Sequence, residues 1–328
     1  METSRLTATN YIRQRIEKEM KLRIIPIIVI PIFLFTFWYY GLHFRDLSLQ
    51  FSNSTWLQSR DLALLSQPKM SSEVQPFYNK WKDCVNQVLE RVSKDPVKFW
   101  STWFKHTNKC EEVWSKQLEV RGFRNLDETK YHVLPLNNEP SVIVTIGIGH
   151  DTTAEEKLRL TIGNSSRFYG ADPTFDGNEN RYSKFGTFFN FAIGGESGLF
   201  VMTILGNHGY FNKKVPSISL PYFLKTIIHE NLIDGLWIDA EGAEYSMLHH
   251  FYRNGPLDQH NITICQFNIE IHQPNNDRKR QFHKFFQQMM DEERYVFFKP
   301  STNAGHLRIY YFNIVNETCK SKYLLPPI

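Results

Sequence analysis

The sequence predicts a doubly wound α/β sheet with an antiparallel hairpin at one edge, preceded by a membrane-spanning segment and a helical stem. Three observations carry this reading. From about residue 140, apolar strand-like runs alternate with helical patterns, the order that builds a mainly parallel sheet. The last two runs, "YVFFKP" and "HLRIYYFNIV", have no helix between them, which makes them a hairpin. Between Arg23 and Arg45 there is no Lys, Arg, Asp or Glu.

Taken in order, residues 1–23 form a basic tail, with six basic residues against three acidic ones, in a chain of 328 residues and net charge +4. The rest is near neutral, so the basic face of a nucleic-acid protein is missing. Residues 24–44 include "IIPIIVIPIFLFTFWYYGL". As a helix this segment is roughly 30 Å long, enough to cross a bilayer core. Membrane helices tolerate its two prolines, and Trp38, Tyr39 and Tyr40 suit an interfacial belt. Positive charge before the span sets a single-pass type II anchor, with the large domain in the lumen of the Golgi or endoplasmic reticulum. The run is longer than a signal-peptide core, and no small-x-small cleavage site follows it. Four sequons, at Asn53, Asn164, Asn261 and Asn316, fit that side. So do four cysteines. Cys84 and Cys110 share one segment and are the expected bridge. Cys265 and Cys319 can pair only if their strands lie close. Four free thiols are the alternative.

Residues 45–76 read as a stem. Residues 77–139 read as a helical cap, with Trp81, Cys84, Val85, Val88, Leu89 and Val92 at helical spacing. Asp95-Pro96 starts a second helix. The main domain spans 140–320, with a tail at 321–328. Within it "SVIVTIGIG" is a buried strand, "TTAEEKLRLTIG" a helix, "RFYGADP" a strand, and "TFFNFAIGG" a third strand. "GLFVMTIL" is an extra strand or half a hairpin, and "LPYFLKTIIHENL" is a helix. "DGLWIDAEG" is a strand, "AEYSMLHHFYRNG" a helix, "TICQFNIEIH" a strand and "DRKRQFHKFFQQMMDEE" an amphipathic helix.

In such a sheet the ligand lies beyond the carboxyl ends of the strands. Gly147 and Gly149 follow one strand and precede a helix, where backbone can approach an anionic ligand. Asp172 lies twenty-five residues after Gly147 at the next strand's end. An acidic group there can accept hydrogen bonds from a ribose. "LWIDAEGAEY" places Asp239, Glu241 and Glu244 within six residues at a later strand end, and "FNIEIH" brings Glu270 and His272 to the one after.

The stretches "TIGIGHD", "GADP", "AIGG", "ISLPYFL", "IDGLWIDAEGAEYSML" and "IEIH" together resemble the FkbM family of S-adenosylmethionine-dependent methyltransferases, most closely a membrane-anchored branch found in nematodes. The resemblance covers roughly residues 140–315. It implies the class I methyltransferase (Rossmann-like) fold, with an antiparallel final hairpin, and S-adenosyl-L-methionine as cofactor. It also implies Gly147 and Gly149 in the cofactor loop, Asp172 at the ribose, and Asp239 and Glu241 on the acceptor side. The family's first strand usually ends in Asp, where this chain has Thr145. That position helps hold the methionine end of the cofactor, and Asp151 is the expected compensation.

Methyl transfer from a sulfonium needs mainly positioning, and a hydroxyl acceptor benefits from a base. Asp239, Glu241, Glu270 and His272 are the candidates, His272 having the more suitable unperturbed pKa. A glycan hydroxyl is the expected acceptor, from the compartment alone. A plain helix-dipole role for Glu241 and Glu244 stands beside this reading. Asp-x-Glu after an apolar strand also resembles the metal site of Golgi glycosyltransferases, whose anchor and stem would look the same. The Thr145 departure keeps a non-catalytic binding protein in view.

Overall fold

The computed structural model describes residues 69–206, 209–272 and 274–325. The expected tail, span and most of the stem fall outside them. Among the described residues no helix is long and apolar enough to cross a membrane.

Fourteen strands are described: β1 (Val120–Arg124), β2 (Thr129–Val133), β3 (Val142–Ile146), β4 (Arg167–Ala171), β5 (Thr187–Phe189), β6 (Ala192–Gly194), β7 (Gly198–Gly206), β8 (Gly209–Ser219), β9 (Leu232–Ile233), β10 (Gly235–Ile238), β11 (Thr263–Ile264), β12 (Gln266–Ile271), β13 (Tyr295–Asn303) and β14 (His306–Asn313). Seven form the central sheet in the order β13-β14-β12-β10-β3-β4-β5. Pairing is parallel from β12 through β5 and antiparallel at β12–β14 and β13–β14. This is the expected doubly wound sheet with a reversed hairpin at one edge. β3 and β10 are buried along their whole length, which is why both read as unbroken apolar runs. The strand order reverses between β3 and β10, so the crevice opens at their carboxyl ends.

The main helices are α1 (Gln75–Leu89), α2 (Thr153–Ile162), α3 (Asn276–Glu292) and α4 (Glu317–Tyr323). Helix α1 buries Tyr78, Trp81, Val85 and Val88, one face at helical spacing. Asp95 caps a short turn at Pro96–Phe99, accepting from the Val97 and Lys98 amides. A 3₁₀ stretch, Trp103–Trp114, follows, and Trp103 packs on Phe286 of α3 and Phe297 of β13.

Four expectations need correction. The cap expected over 77–139 is helical only to Trp114; the antiparallel pair β1–β2 follows, with side chains too polar to read as buried strands. "TFFNFAIGG" is two strands, β5 in the central sheet and β6 in a separate three-stranded sheet with the β7–β8 hairpin. "AEYSMLHHFYRNG" is a short α turn, Glu244–Met247, running into a 3₁₀ turn. "LPYFLKTIIHENL" opens as an α turn at Leu220–Tyr222, widens to a π turn over Phe223–Ile227 and ends at Ile228. All four cysteines are bonded, Cys84 to Cys110 and Cys265 to Cys319. Cys319 lies on α4 rather than on a strand. Asn164 and Asn261 are exposed. The Asn316 side chain caps α4 by accepting from the Cys319 amide.

Candidate functional site

The carboxyl ends of β3, β4 and β10 converge on a cavity of about 280 Å³. The sheet contributes Gly147, Gly149, Asp172, Asp239 and Glu241 to its wall. The β1–β2 pair adds Glu128 and Lys130, and the β7–β8 hairpin adds Met202 and Tyr210.

The two loop glycines have different reasons. Gly147 has φ +80°, and a Cβ on it would lie 1.7 Å from the Asp239 carbonyl oxygen. Backbone of the neighbouring strand end fills that space, so the close approach of Asp239 requires glycine at 147. Gly149 has φ +61° and nothing within 4 Å of its Cβ position, which leaves room against the cavity.

Asp172 is buried, and its carboxylate is occupied by the loop. Oδ2 accepts from the Ile148 amide at 2.8 Å and the Gly149 amide at 3.3 Å; Oδ1 accepts from Thr174 at 2.7 Å. Burial raises its pKa, and these amides oppose the shift. Asp172 therefore shapes the glycine loop as well as facing the cavity. Asp151 also lines the cavity, but its oxygens accept from the Thr153 and Leu126 amides. It ties the β1–β2 turn to the loop at the cavity wall. Thr145 is fully buried and is not part of the cavity wall. Its hydroxyl donates to Glu155 Oε1 and accepts from the Tyr182 hydroxyl, both at 3.2 Å.

On the other wall, the acidic stretch meets His272. Its Nε2 lies 3.4 Å from Asp239 and 3.2 Å from Glu241, and its Nδ1 lies 3.1 Å from Glu244. Glu244 is fully buried and also accepts from the amides of His272 and Gly242, at 2.8 Å each. Burial alone would lower the His272 pKa. The bonds to Glu241 and Glu244 and the Asp239 charge outweigh it and push the pKa up to about 11. Burial raises Asp239, against the pull of Lys130. Burial works upward on Glu241 too, but the His272 ring and the Tyr210 hydroxyl outweigh it, and Glu241 ends below its ordinary value. The structure does not bring Glu270 into the cavity. It is buried against Arg308 Nε at 2.8 Å, its register partner across β12–β14.

A second cavity, of about 430 Å³, adjoins the first and contains Ser246, His249 and Arg278. The two share Met202, Thr203, Ala240, Glu241 and Ala243 as a common wall. Ligand-capable atoms also gather in overlapping triads, Asp239–Glu241–His272, Glu128–Asp239–Glu270 and Glu270–His272–His306. Cations already stand among them: the His272 ring, Arg308 on Glu270, and Lys130 at 2.5 Å from Glu128.

Sequence reasoning missed Glu128, Lys130, Glu155 and Tyr210. The first two sit in a segment read as cap, Tyr210 in a hairpin with no site signal, and Glu155 in a segment read only as a helix.

The chain matches the model of the FkbM methyltransferase domain over residues 96–297. An uncharacterized protein of Caenorhabditis elegans is 24% identical over 264 residues, covering 78% of this chain and 83% of that protein.

Proposed function

This chain belongs to the FkbM methyltransferase family, and we propose that it is an S-adenosylmethionine-dependent O-methyltransferase of the secretory pathway, with a glycan hydroxyl as acceptor. The observation that carries the reading is the shared wall. Glu241 faces both the cavity built on the glycine loop and the adjoining one, so a donor in the first and an acceptor in the second would meet at one carboxylate.

The first cavity fits the donor in kind. Gly149 leaves open space beside the backbone, Asp172 stands at the end of β4, and Glu155 presents a buried oxygen without a partner. The donor would supply a methyl group already activated on a sulfonium. The chain's part is then to hold two reactants in line and to receive the acceptor's proton. Glu241 and Glu244 favour the cationic form of His272, which leaves the ring little capacity to take that proton. It anchors Asp239 and Glu241 instead. Glu241, the carboxylate held ionised, is the base, and Asp239 stands beside it. The compartment reading is supported by the two disulfides, by the uncharged stretch at 24–44 and by the exposed Asn164 and Asn261.

The test is radiolabelled methyl transfer to a glycan mixture by the full-length chain, with and without chelator. Glu241→Gln and Asp239→Asn should each lower transfer about 10²-fold or more, with little change in cofactor affinity. Full activity in both variants removes the acceptor-side role. Chelator-sensitive transfer from a sugar nucleotide would replace this reading with a glycosyltransferase.

A further inference from the structure

The cavity wall contains one carboxylate whose part in holding the donor has not been assigned. Glu155, on the first turn of α2, is 1% exposed. Its Oε1 accepts from the Thr145 hydroxyl at 3.2 Å. Its Oε2 is buried and has no hydrogen-bond partner among the described residues. The other buried or half-buried carboxylates around the cavity are all engaged. Glu128 holds Lys130, Asp172 and Asp151 hold backbone amides, and Asp239 and Glu241 hold His272. A charged carboxylate oxygen left without a partner in the interior carries an uncompensated desolvation cost, so such a group either stays protonated or stands ready for a cation. The charge of Lys130 acts on it, but Glu128 already pairs with that ammonium.

We propose that Glu155 recognises the α-ammonium group of the cofactor's amino-acid end, reaching from α2 to supply the carboxylate that Thr145 lacks at the end of β3. The inference rests on the cofactor reading above. The hydrogen bond between the two residues supports it: Thr145 is too short and too deeply buried to line the cavity, yet it fixes one oxygen of the carboxylate that does. The Tyr182 hydroxyl donates to Thr145 Oγ1 and so holds that arrangement in place. Burial raises Glu155 to about 7, so an arriving ammonium would find a group near balance between its two forms and would favour the ionised one.

The experiment is a binding cycle by calorimetry on the full-length chain. The ligands are S-adenosylhomocysteine and its deaminated analogue, in which hydrogen replaces the α-ammonium; the proteins are wild type and Glu155→Gln. Wild type should bind the parent ligand about tenfold or more tightly than the analogue, the scale of one charge-assisted hydrogen bond. Glu155→Gln should bring the two within about twofold of each other, by weakening the parent ligand and sparing the analogue. Equal affinities in wild type overturn the inference without need of the variant. So does a Glu155→Gln protein that weakens both ligands alike, which marks a structural role, or one that keeps the full preference. If wild type binds neither ligand, the cofactor reading itself fails and this inference falls with it.

Discussion

Replacing Asp172 with Asn tests whether this carboxylate braces the glycine loop or waits for a ribose. The aspartate accepts three backbone N–H bonds, two of them short and one at 3.3 Å. Asparagine keeps one acceptor oxygen and turns the other into a donor. If the amide oxygen stays on Thr174, an NH₂ group faces the amides of Ile148 and Gly149, and two donors lose their acceptor. A bond to a charged acceptor is worth about 1.5–3 kcal/mol, and a buried donor left unmade costs about 1–3 kcal/mol. Against this, the variant no longer buries a charge whose pKa burial has raised. The net expectation is a loss of about 2 kcal/mol, or about 4–8 °C in Tm for a unit of this size. Urea denaturation of the full-length chain, with calorimetry of S-adenosylhomocysteine on the same sample, reads both roles. A stability loss under about 0.5 kcal/mol with a tenfold or greater loss of affinity would refute the bracing argument and leave the ribose contact alone.

Glu244→Gln removes the buried carboxylate beside His272 Nδ1, so the ring should titrate below its wild-type value; NMR titration showing no change would refute the proposed support. His132 is buried, and burial and Lys322 depress its pKa to about 3. Below about pH 6.5 the unfolded chain therefore binds a proton that the folded chain refuses. Wild-type stability should fall relative to His132→Phe as the pH drops from about 6.5 toward 3, by up to about 1.4 kcal/mol per pH unit, and parallel curves would contradict this. The bridges span sequence separations of 26 and 54 residues, so reduction should cost about 3.5 and about 4 kcal/mol on the chain-entropy estimate. Peptide mapping without reductant should recover both pairs, and free alkylation of Cys84 and Cys110 in the native protein would rule out the first.

The sheet was legible because its central strands are buried on both faces. Val142–Ile146 and Gly235–Ile238 contain no exposed position, so each appears as a short apolar run between turn signals. The hairpin at the edge followed from a missing helix. The β1–β2 pair was not legible for the opposite reason. "VRGFR" and "TKYHV" alternate polar side chains, and several of those are buried by ion pairing or hydrogen bonding rather than by apolarity: Lys130 on Glu128, and His132 against Gln266. Periodicity cannot register a buried lysine. Glu155 was hidden in the same way. In "TTAEEKLRL" it looks like half of an exposed Glu-Glu pair at a helix start, and only the packing of α2 beneath β3 turns that position inward.

"LWIDAEGAEY" shows where local sequence stops informing about chemistry. Its three carboxylates fall within six positions, and their contacts separate through one histidine twenty-eight residues beyond Glu244. Glu244 turns inward, satisfies two backbone amides and the His272 ring, and is fully buried. The ring so fixed faces Glu241 and holds it ionised. Glu241 reaches that place on a left-handed backbone, φ +51°, directly before Gly242 at φ +99°. Asp239, delivered by the strand itself, is pushed the other way by burial. The pattern of acids was therefore enough to point to the cavity wall, and the division of contacts among them was not. That division depends on which carboxylate the fold closes over, and so on how β12 presents His272 against the turn after β10.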